Sequence, residues 1–173
     1  MCTTVALARV LIDAGYDRCE PLFEEYVAWA VERMGDEYGI TGIDARRHHE
    51  AFRGELPGMM GPRGRLYVAE LAGEAVGTCA LKPVSDTVGE LKRMYVRPSA
   101  RGKGVARCVL EQLIADAKTI GYERLRLESG AFMTAAHALY RRVGFVDTPP
   151  FDGNETAMSG LGDVVIFMEA RLV

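Results

Sequence analysis

The apolar positions of this chain change their period several times, and each change marks an element. Val105, Ala106, Val109, Leu110, Leu113, Ala117 and Ile120 recur at helical spacing, and Gly121 supplies the stop. Just before them, residues 90–96 form a strand-like run with Leu91, Met94, Tyr95 and Val96, closed by Pro98, which has no N–H for a ladder. Its alternation is imperfect. Leu91 and Tyr95 share a face with Arg93, while Met94 and Val96 share the other with Glu90, the irregularity a β-bulge would leave. After Gly121, residues 124–129 alternate with Leu125 and Leu127 inward, so strand, helix and strand are expected to make a parallel, right-handed unit.

The flanks follow the same logic. Residues 5–12 read as a first strand. Leu22, Phe23, Tyr26, Val27, Ala30 and Val31 make residues 20–34 an amphipathic helix, with Asp17 a candidate cap and Gly35 its end. Asp44 is expected to cap a second helix to residue 55, half exposed because Ala45, Ala51 and Phe52 are its few apolar residues. Residues 57–64, PGMMGPRG, read as a turn-rich linker. Residues 65–70 and 75–82 then form a hairpin through Ala72-Gly73-Glu74, and residues 85–89 turn back. Thr134 is a candidate cap for a last helix with the stripe Ala135, Ala136, Leu139 and Val143, and Gly144 stands just past its end. Residues 145–148 and 164–172 read as the final strands. The loop between them, residues 149–162, is long for a hairpin and is expected to cover an acceptor site.

A length of 173 residues and 19.0 kDa suits one domain, 1–173, with an ordinary globular composition of 49% hydrophobic and 26% charged residues. No apolar run approaches the roughly 20 residues of a membrane span, and a cytoplasmic location is the default expectation. Cys2, Cys19, Cys79 and Cys108 show no C-x-x-C spacing, and the adjacent His48 and His49 lie on different helical faces, so no metal site is read.

The segment between residues 90 and 121 carries the chemistry. A strand, a glycine turn and a helix start make an anion site, because the first N–H groups of a helix lack internal partners and sit at its positive end. From Leu91 to Leu110 the chain holds Lys92, Arg93, Arg97, Arg101, Lys103 and Arg107 and no acidic residue, against a net charge of −3 overall. A phosphate-bearing ligand follows. The nucleotide P-loop string is absent, and Arg107 occupies the third glycine position of the dinucleotide fingerprint.

The run Arg101, Gly102, Lys103, Gly104, Val105, Ala106 resembles the [Q/R]-x-x-G-x-[G/A] acetyl-CoA signature of the Gcn5-related N-acetyltransferase (GNAT) superfamily. Downstream, AHALYRRVGF from Ala136 to Phe145 resembles that family's A-x-x-L-Y-x-x-x-G-F element, in the family's order. The resemblance is close over residues 65–173 and loose over the first third. It implies an α/β (α+β) fold: a mixed, strongly twisted sheet of six to seven strands, helices on both faces, and central strands splayed at a β-bulge. It also implies an acyl-CoA-binding core at about residues 65–145, with acetyl-CoA as co-substrate and direct attack by an amine acceptor in a ternary complex. Met94, Tyr95 and Val96 on the bulged strand would hold the pantetheine arm and thioester, with the Val96 N–H a donor to the thioester oxygen. Residues 101–106 would take the pyrophosphate, and Ala136 and Tyr140 would flank the cofactor.

Two residues are candidates for proton transfer. Glu90, eleven residues before Arg101, matches the register of the general-base glutamate in the histone-acetylating branch; it could equally be a strand glutamate paired with a neighbouring cation. Tyr140 matches the tyrosine many members use as general acid toward the coenzyme A thiolate; it could equally bury its ring as packing. Met133 stands where many relatives place an asparagine, so a side-chain hydrogen bond to cofactor or strand is expected to be lost. By the same resemblance the first helix walls the acceptor site, where Glu24, Glu25, Glu32, Asp36 and Glu37 could draw in a cationic amine or form a solvated face. A non-catalytic acyl-CoA sensor on the same fold would keep residues 101–106 and need neither Glu90 nor Tyr140. A nucleic-acid-binding role is disfavoured by the acidic net charge, and a homodimer is compatible with the sequence.

Overall fold

A computed structural model describes residues 5–11, 13–153 and 164–172. Seven strands form one sheet: β1 (Val5–Arg9), β2 (Arg65–Leu71), β3 (Glu74–Pro83), β4 (Val88–Val96), β5 (Arg124–Gly130), β6 (Val146–Thr148) and β7 (Val165–Arg171), in the order β1-β2-β3-β4-β5-β7-β6. Every pairing is antiparallel except β4 with β5, which α4 (Val105–Ile120) connects. The expected parallel strand–helix–strand unit and mixed sheet are therefore present.

Two cores lie on opposite faces of this sheet. On one, α4 buries Val105, Val109, Leu110, Leu113 and Ala117 against Leu81, Leu91, Leu125 and Leu127, and α5 (Thr134–Arg142) adds Tyr140. On the other, α1 (Asp13–Tyr16), α2 (Glu20–Tyr38) and α3 (Ala45–Met60) bring Tyr16, Leu22, Phe23, Phe52, Leu56 and Met59 against Leu66, Val68, Ala80 and Tyr95. The strict alternation of Leu66, Tyr67 and Val68 between the cores is what a doubly covered strand requires.

The helices of the second face depart from the pattern read along the chain. α2 runs four residues past the expected end at Met34, to Tyr38, and stops at Gly39 in the left-handed region (φ 67°) rather than at Gly35. Its N-cap is Cys19 with no side-chain cap, so Asp17 does not serve there. α3 is capped as expected by Asp44, whose carboxylate accepts from the Arg46 and Arg47 N–H groups, but it continues through Pro57 to Met60. The expected linker at 57–64 is thus half helix, because burying Leu56 and Met59 offsets the hydrogen bond that Pro57 cannot make. The proposed cover at 149–162 lies outside the described residues from 154 on, as does Cys2.

The sheet opens at its centre. β4 and β5 share three residue pairs, Val88 with Arg124, Gly89 with Leu125 and Glu90 with Arg126, and no further pair. Beyond Glu90 the strands diverge. On its other edge, β4 pairs with β3 through a register shift that sets Arg93 and Met94 opposite Cys79 alone. Arg93 sits in the left-handed region (φ 54°), as a bulge residue does. The extra residue reverses the parity of the strand. Leu91 therefore faces α4 and Tyr95 faces α2, whereas unbroken alternation would place them together.

Candidate active site

β4 and β5 part beyond Glu90, with the start of α4 at the far end of β4 and a cavity on the α2 side of the sheet. After β4, residues 98–100 make a 3-10 turn, and Gly102 (φ 74°) and Gly104 (φ 82°) swing the chain into α4. Gly104 is the N-cap, with no side chain capping the helix, and a Cβ there would meet nothing within 4 Å. The first bond into the helix is Cys108 N–H to the Gly104 carbonyl at 3.0 Å; among the described residues the N–H groups of 102–107 meet no acceptor. Gly102, Lys103 and Gly104 are exposed and Val105 is buried beneath them. The arrangement is that of an open anion cradle.

The basic residues around it are distributed differently from their order in sequence. Lys92 is 5% exposed and turns inward, its Nζ 3.3 Å from Glu90 and 3.7 Å from Glu55. Arg97 binds Glu25 through Nε and Nη2 (2.6–3.1 Å), and Arg107 pairs with Glu111 on its own helix. Arg101 folds back so that Nε reaches the Val96 carbonyl at 3.1 Å, with its guanidinium 5.3 Å from the Trp29 ring centroid. Much of the positive charge counted in that window therefore holds the fold, and the cradle depends chiefly on backbone N–H groups.

Val96 stands at the far end of β4. The Arg97 N–H donates to Val76 on the β3 side (2.8 Å), so by strand alternation the Val96 peptide points the other way, into the gap. Met94 and Val96 pack on the α4 core, while the Tyr95 ring turns to α2, 5.8 Å from Tyr26. Tyr140 approaches from α5, beside Ala136, with its ring 5.7 Å from Phe145. Burial raises the Tyr140 phenol well above its ordinary value, and the neighbouring Cys79 and Tyr26 add to the shift. The hydroxyl keeps its proton at neutral pH.

On the α2 side lies a cavity of about 140 Å³. Val27, Ala30, Val31 and Met34 of α2, with Ile43, form its apolar wall, and Glu90, Lys92, Arg93, Glu128 and Ser129 supply its polar floor. Glu90 is 4% exposed, with Oε2 2.8 Å from Arg126 Nε and Oε1 3.3 Å from Lys92 Nζ. The Phe151 ring covers Arg126 at 4.0 Å. The result is one chain of alternating charge from Lys82 through Glu55, Lys92 and Glu90 to Arg126. None of Glu24, Glu25, Glu32, Asp36 and Glu37 lines this cavity; Glu25 binds Arg97 and Glu37 pairs with Arg33. α2 turns its apolar face to this cavity, and the five acidic residues lie outside its lining.

Sequence reasoning missed one further polar group. His137, 2% exposed, places Nε2 3.1 Å from the Ser129 hydroxyl at the end of β5. The same hydroxyl lies 3.4 Å from Met133 Sδ. The N-cap of α5 is Met133 rather than the expected Thr134, and no side chain caps the helix. The signal for His137 was its place inside the motif from Ala136 to Phe145, three residues before Tyr140; its partner is visible only once β5 and α5 pack together.

A sheet splayed at a bulge, with a helix N-terminus at the mouth of the splay, defines an acyl-CoA-binding fold, and comparison with known proteins agrees. The acetyltransferase (GNAT) family model matches residues 22–145. The IAA acetyltransferase of Azospirillum brasilense is 38% identical over 98 residues, which are 56% of this chain and 64% of that protein. An uncharacterized N-acetyltransferase of Escherichia coli, YjgM, is 32% identical over 123 residues, 69% of this chain and 74% of that protein. The crystal structure of PaiA N-acetyltransferase from Thermoplasma acidophilum in complex with coenzyme A shares the fold, with a TM-score of 0.72 and 16% identity over 97% of this chain and 99% of that one. The chain belongs to the acetyltransferase (GNAT) family. Among the described residues, no helix is long and apolar enough to cross a membrane.

Proposed function

We propose that this protein transfers an acetyl group from acetyl-CoA to the primary amine of a small molecule, by direct attack within a ternary complex. The observation that carries the proposal is the parting of β4 and β5 beyond Glu90, with the glycine turn into α4 at one end of β4 and a cavity lined by Glu90 to Arg93 and Glu128 to Gly130 on the α2 side. The pyrophosphate is taken by the N–H groups around Gly102 to Ala106. The pantetheine arm follows β4 along Met94 to Val96, and the thioester oxygen meets the Val96 N–H, a backbone donor of the kind that stabilises a developing oxyanion. Tyr140, which keeps its proton at neutral pH, donates to the departing thiolate as charge builds on sulfur.

The cavity supports a description of the acceptor. An apolar wall of Val27, Ala30, Val31 and Met34 faces a floor carrying both signs of charge, Lys92 and Arg93 beside Glu90 and Glu128. A small amine that also carries a carboxylate matches both signs, its anion toward Arg93 and its neutral amine toward Glu90. A polyamine would set extra positive charge against Lys92 and Arg93. The test is thiol release from acetyl-CoA with amino acids, their decarboxylated amines, polyamines, aminoglycosides and peptides. Turnover confined to small carboxylate-bearing amines is expected. Preference for polyamines would overturn the acceptor class, and acetyl-CoA binding without turnover on any amine would instead make the protein a sensor.

A further inference from the structure

We propose that Ser129 and His137 form the exit path for the acceptor's proton: the Ser129 hydroxyl takes it from the attacking nitrogen as it hands its own to His137 Nε2. The proposal rests on the acetyl-transfer reading above and deepens it. Amine attack on a thioester leaves a positively charged nitrogen that must lose a proton before the product is stable, so an acceptor is needed at the attack site. Glu90 lines the cavity, but both its oxygens face cations, Lys92 at 3.3 Å and Arg126 at 2.8 Å. Both oxygens are thus already engaged in ion pairs.

Ser129 is differently placed. It lines the same cavity and is 7% exposed. Continuing the parallel register from Glu90 opposite Arg126 puts Ser129 level with Arg93, at the bulge where β4 and β5 have parted. Behind it, buried His137 approaches to 3.1 Å. The groups facing that imidazole are Ser129 and the Gly130 carbonyl from β5, Arg141 from its own helix and Asp147 from β6. Arg141 and Asp147 are paired with each other at 2.8 Å, which mutes both. The tautomer protonated at Nδ1 leaves Nε2 as an acceptor for the serine proton. Burial, with Arg141, lowers this imidazole, so it is neutral and receptive at neutral pH. The other neighbour of the hydroxyl, Met133 Sδ at 3.4 Å, is a weak acceptor that does not compete.

The step balances as follows. The amine lone pair forms the C–N bond while the carbonyl pair moves to oxygen. The nitrogen's proton passes to Ser129 Oγ, and the Ser129 proton passes to Nε2. Collapse of the intermediate breaks the C–S bond, the thiolate takes the Tyr140 proton, and the imidazolium proton returns through water to the phenolate. The net change is one proton from amine to thiol.

The test uses the intact enzyme with the amine found most active. Ser129→Ala and His137→Gln should each lower turnover roughly a hundredfold. The double variant should be no worse than either, because the two act as a unit. Acetyl-CoA affinity should hold, and the acid limb of the kcat/KM profile should disappear in both variants yet persist in Glu90→Gln. Turnover within twofold of wild type in Ser129→Ala would overturn the proposal, as would an acid limb lost only in Glu90→Gln. Imidazole ¹⁵N shifts give a readout independent of activity, since the chain has three histidines. Protonated Nδ1 and bare Nε2 at His137 are expected, and the reverse tautomer would sink the proposal even if His137→Gln fails to fold. Failure of every amine in wild type would remove the transfer reading itself, and the proton path with it.

Discussion

β4 is two different strands joined at Glu90. Below that residue it is zipped to β5, and its Gly89 lies so close to Leu81, Leu125 and Tyr122 that a Cβ would come within 3.1 Å of all three. Above it, the same strand has no β5 partner, carries Arg93 in the left-handed region and turns the Val96 peptide into the gap. The zipped half is close-packed and apolar. The open half turns one edge of its backbone away from any strand, with Arg101 reaching the Val96 carbonyl there. Glu90 and Arg126 close the border as the last paired residues and as an ion pair. An enzyme that must lay an extended acyl-CoA arm into a sheet needs both: a seam tight enough to fix the geometry and a gap that stays open.

The sharpest way to break the open half is at its mouth. Gly104→Asp sets a carboxylate among the N–H groups that take the pyrophosphate, and no protein atom lies within 4 Å of the new Cβ. Loss of detectable acetyl-CoA binding by calorimetry, with a folded protein by circular dichroism, is expected; wild-type affinity would misplace the cradle. Next comes Tyr140→Phe, which keeps the buried ring and removes the donor. Turnover should fall roughly a hundredfold, about 2.7 kcal/mol in barrier, with acetyl-CoA affinity unchanged. Steady-state thiol release checks it, and unchanged turnover would reduce Tyr140 to packing.

Gly89→Ala attacks the zipped half instead. Overpacking against Leu81, Leu125 and Tyr122 should cost about 1–3 kcal/mol, read as a lower urea midpoint at unchanged m. Binding by the protein that remains folded should be normal, which separates seam from gap. The smallest effect concerns His137, whose imidazole is lowered in the fold. The unfolded chain then binds more protons than the native one between the two values. The contribution of this site to stability is therefore intact above about pH 6.5, the ordinary value, and declines as pH falls toward the lowered one. His137→Gln should flatten the acid side of a melting-temperature profile, and an unaltered slope would assign that slope to other groups.

How much of this was legible along the chain depended on how local its causes are. The turn at 101–106, α4, the bulge and the parallel β5 follow from glycines, a proline and unmistakable periodicity within forty residues, and all are present. Bulge position was readable as broken alternation, but its effect on parity was not, so Tyr95 was expected on the wrong side. α3 was misread at Pro57 because tertiary burial of Leu56 and Met59 outweighs a local preference. The charge window misled in the same manner. Lys92 and Arg97 find Glu55 and Glu25 across distances in sequence that no spacing rule covers, whereas Glu90, two residues from Lys92 on the same strand, was within reach of one. Ser129 and His137 meet only through packing of α5 on β5.

The chain contains a single tryptophan, and the fold has placed it beside the glycine turn that leads into α4. Trp29 lies under the Arg101 guanidinium at 5.3 Å and edge-on to Phe132 at 5.4 Å, so its indole senses both the phosphate turn and the loop after β5. An acyl-CoA that draws Arg101 toward its phosphates lifts a cation from that ring, and intrinsic fluorescence must then change in colour or yield. The protein therefore carries its own optical dye. Occupancy of the site can be followed without label, acceptor or turnover, and in real time.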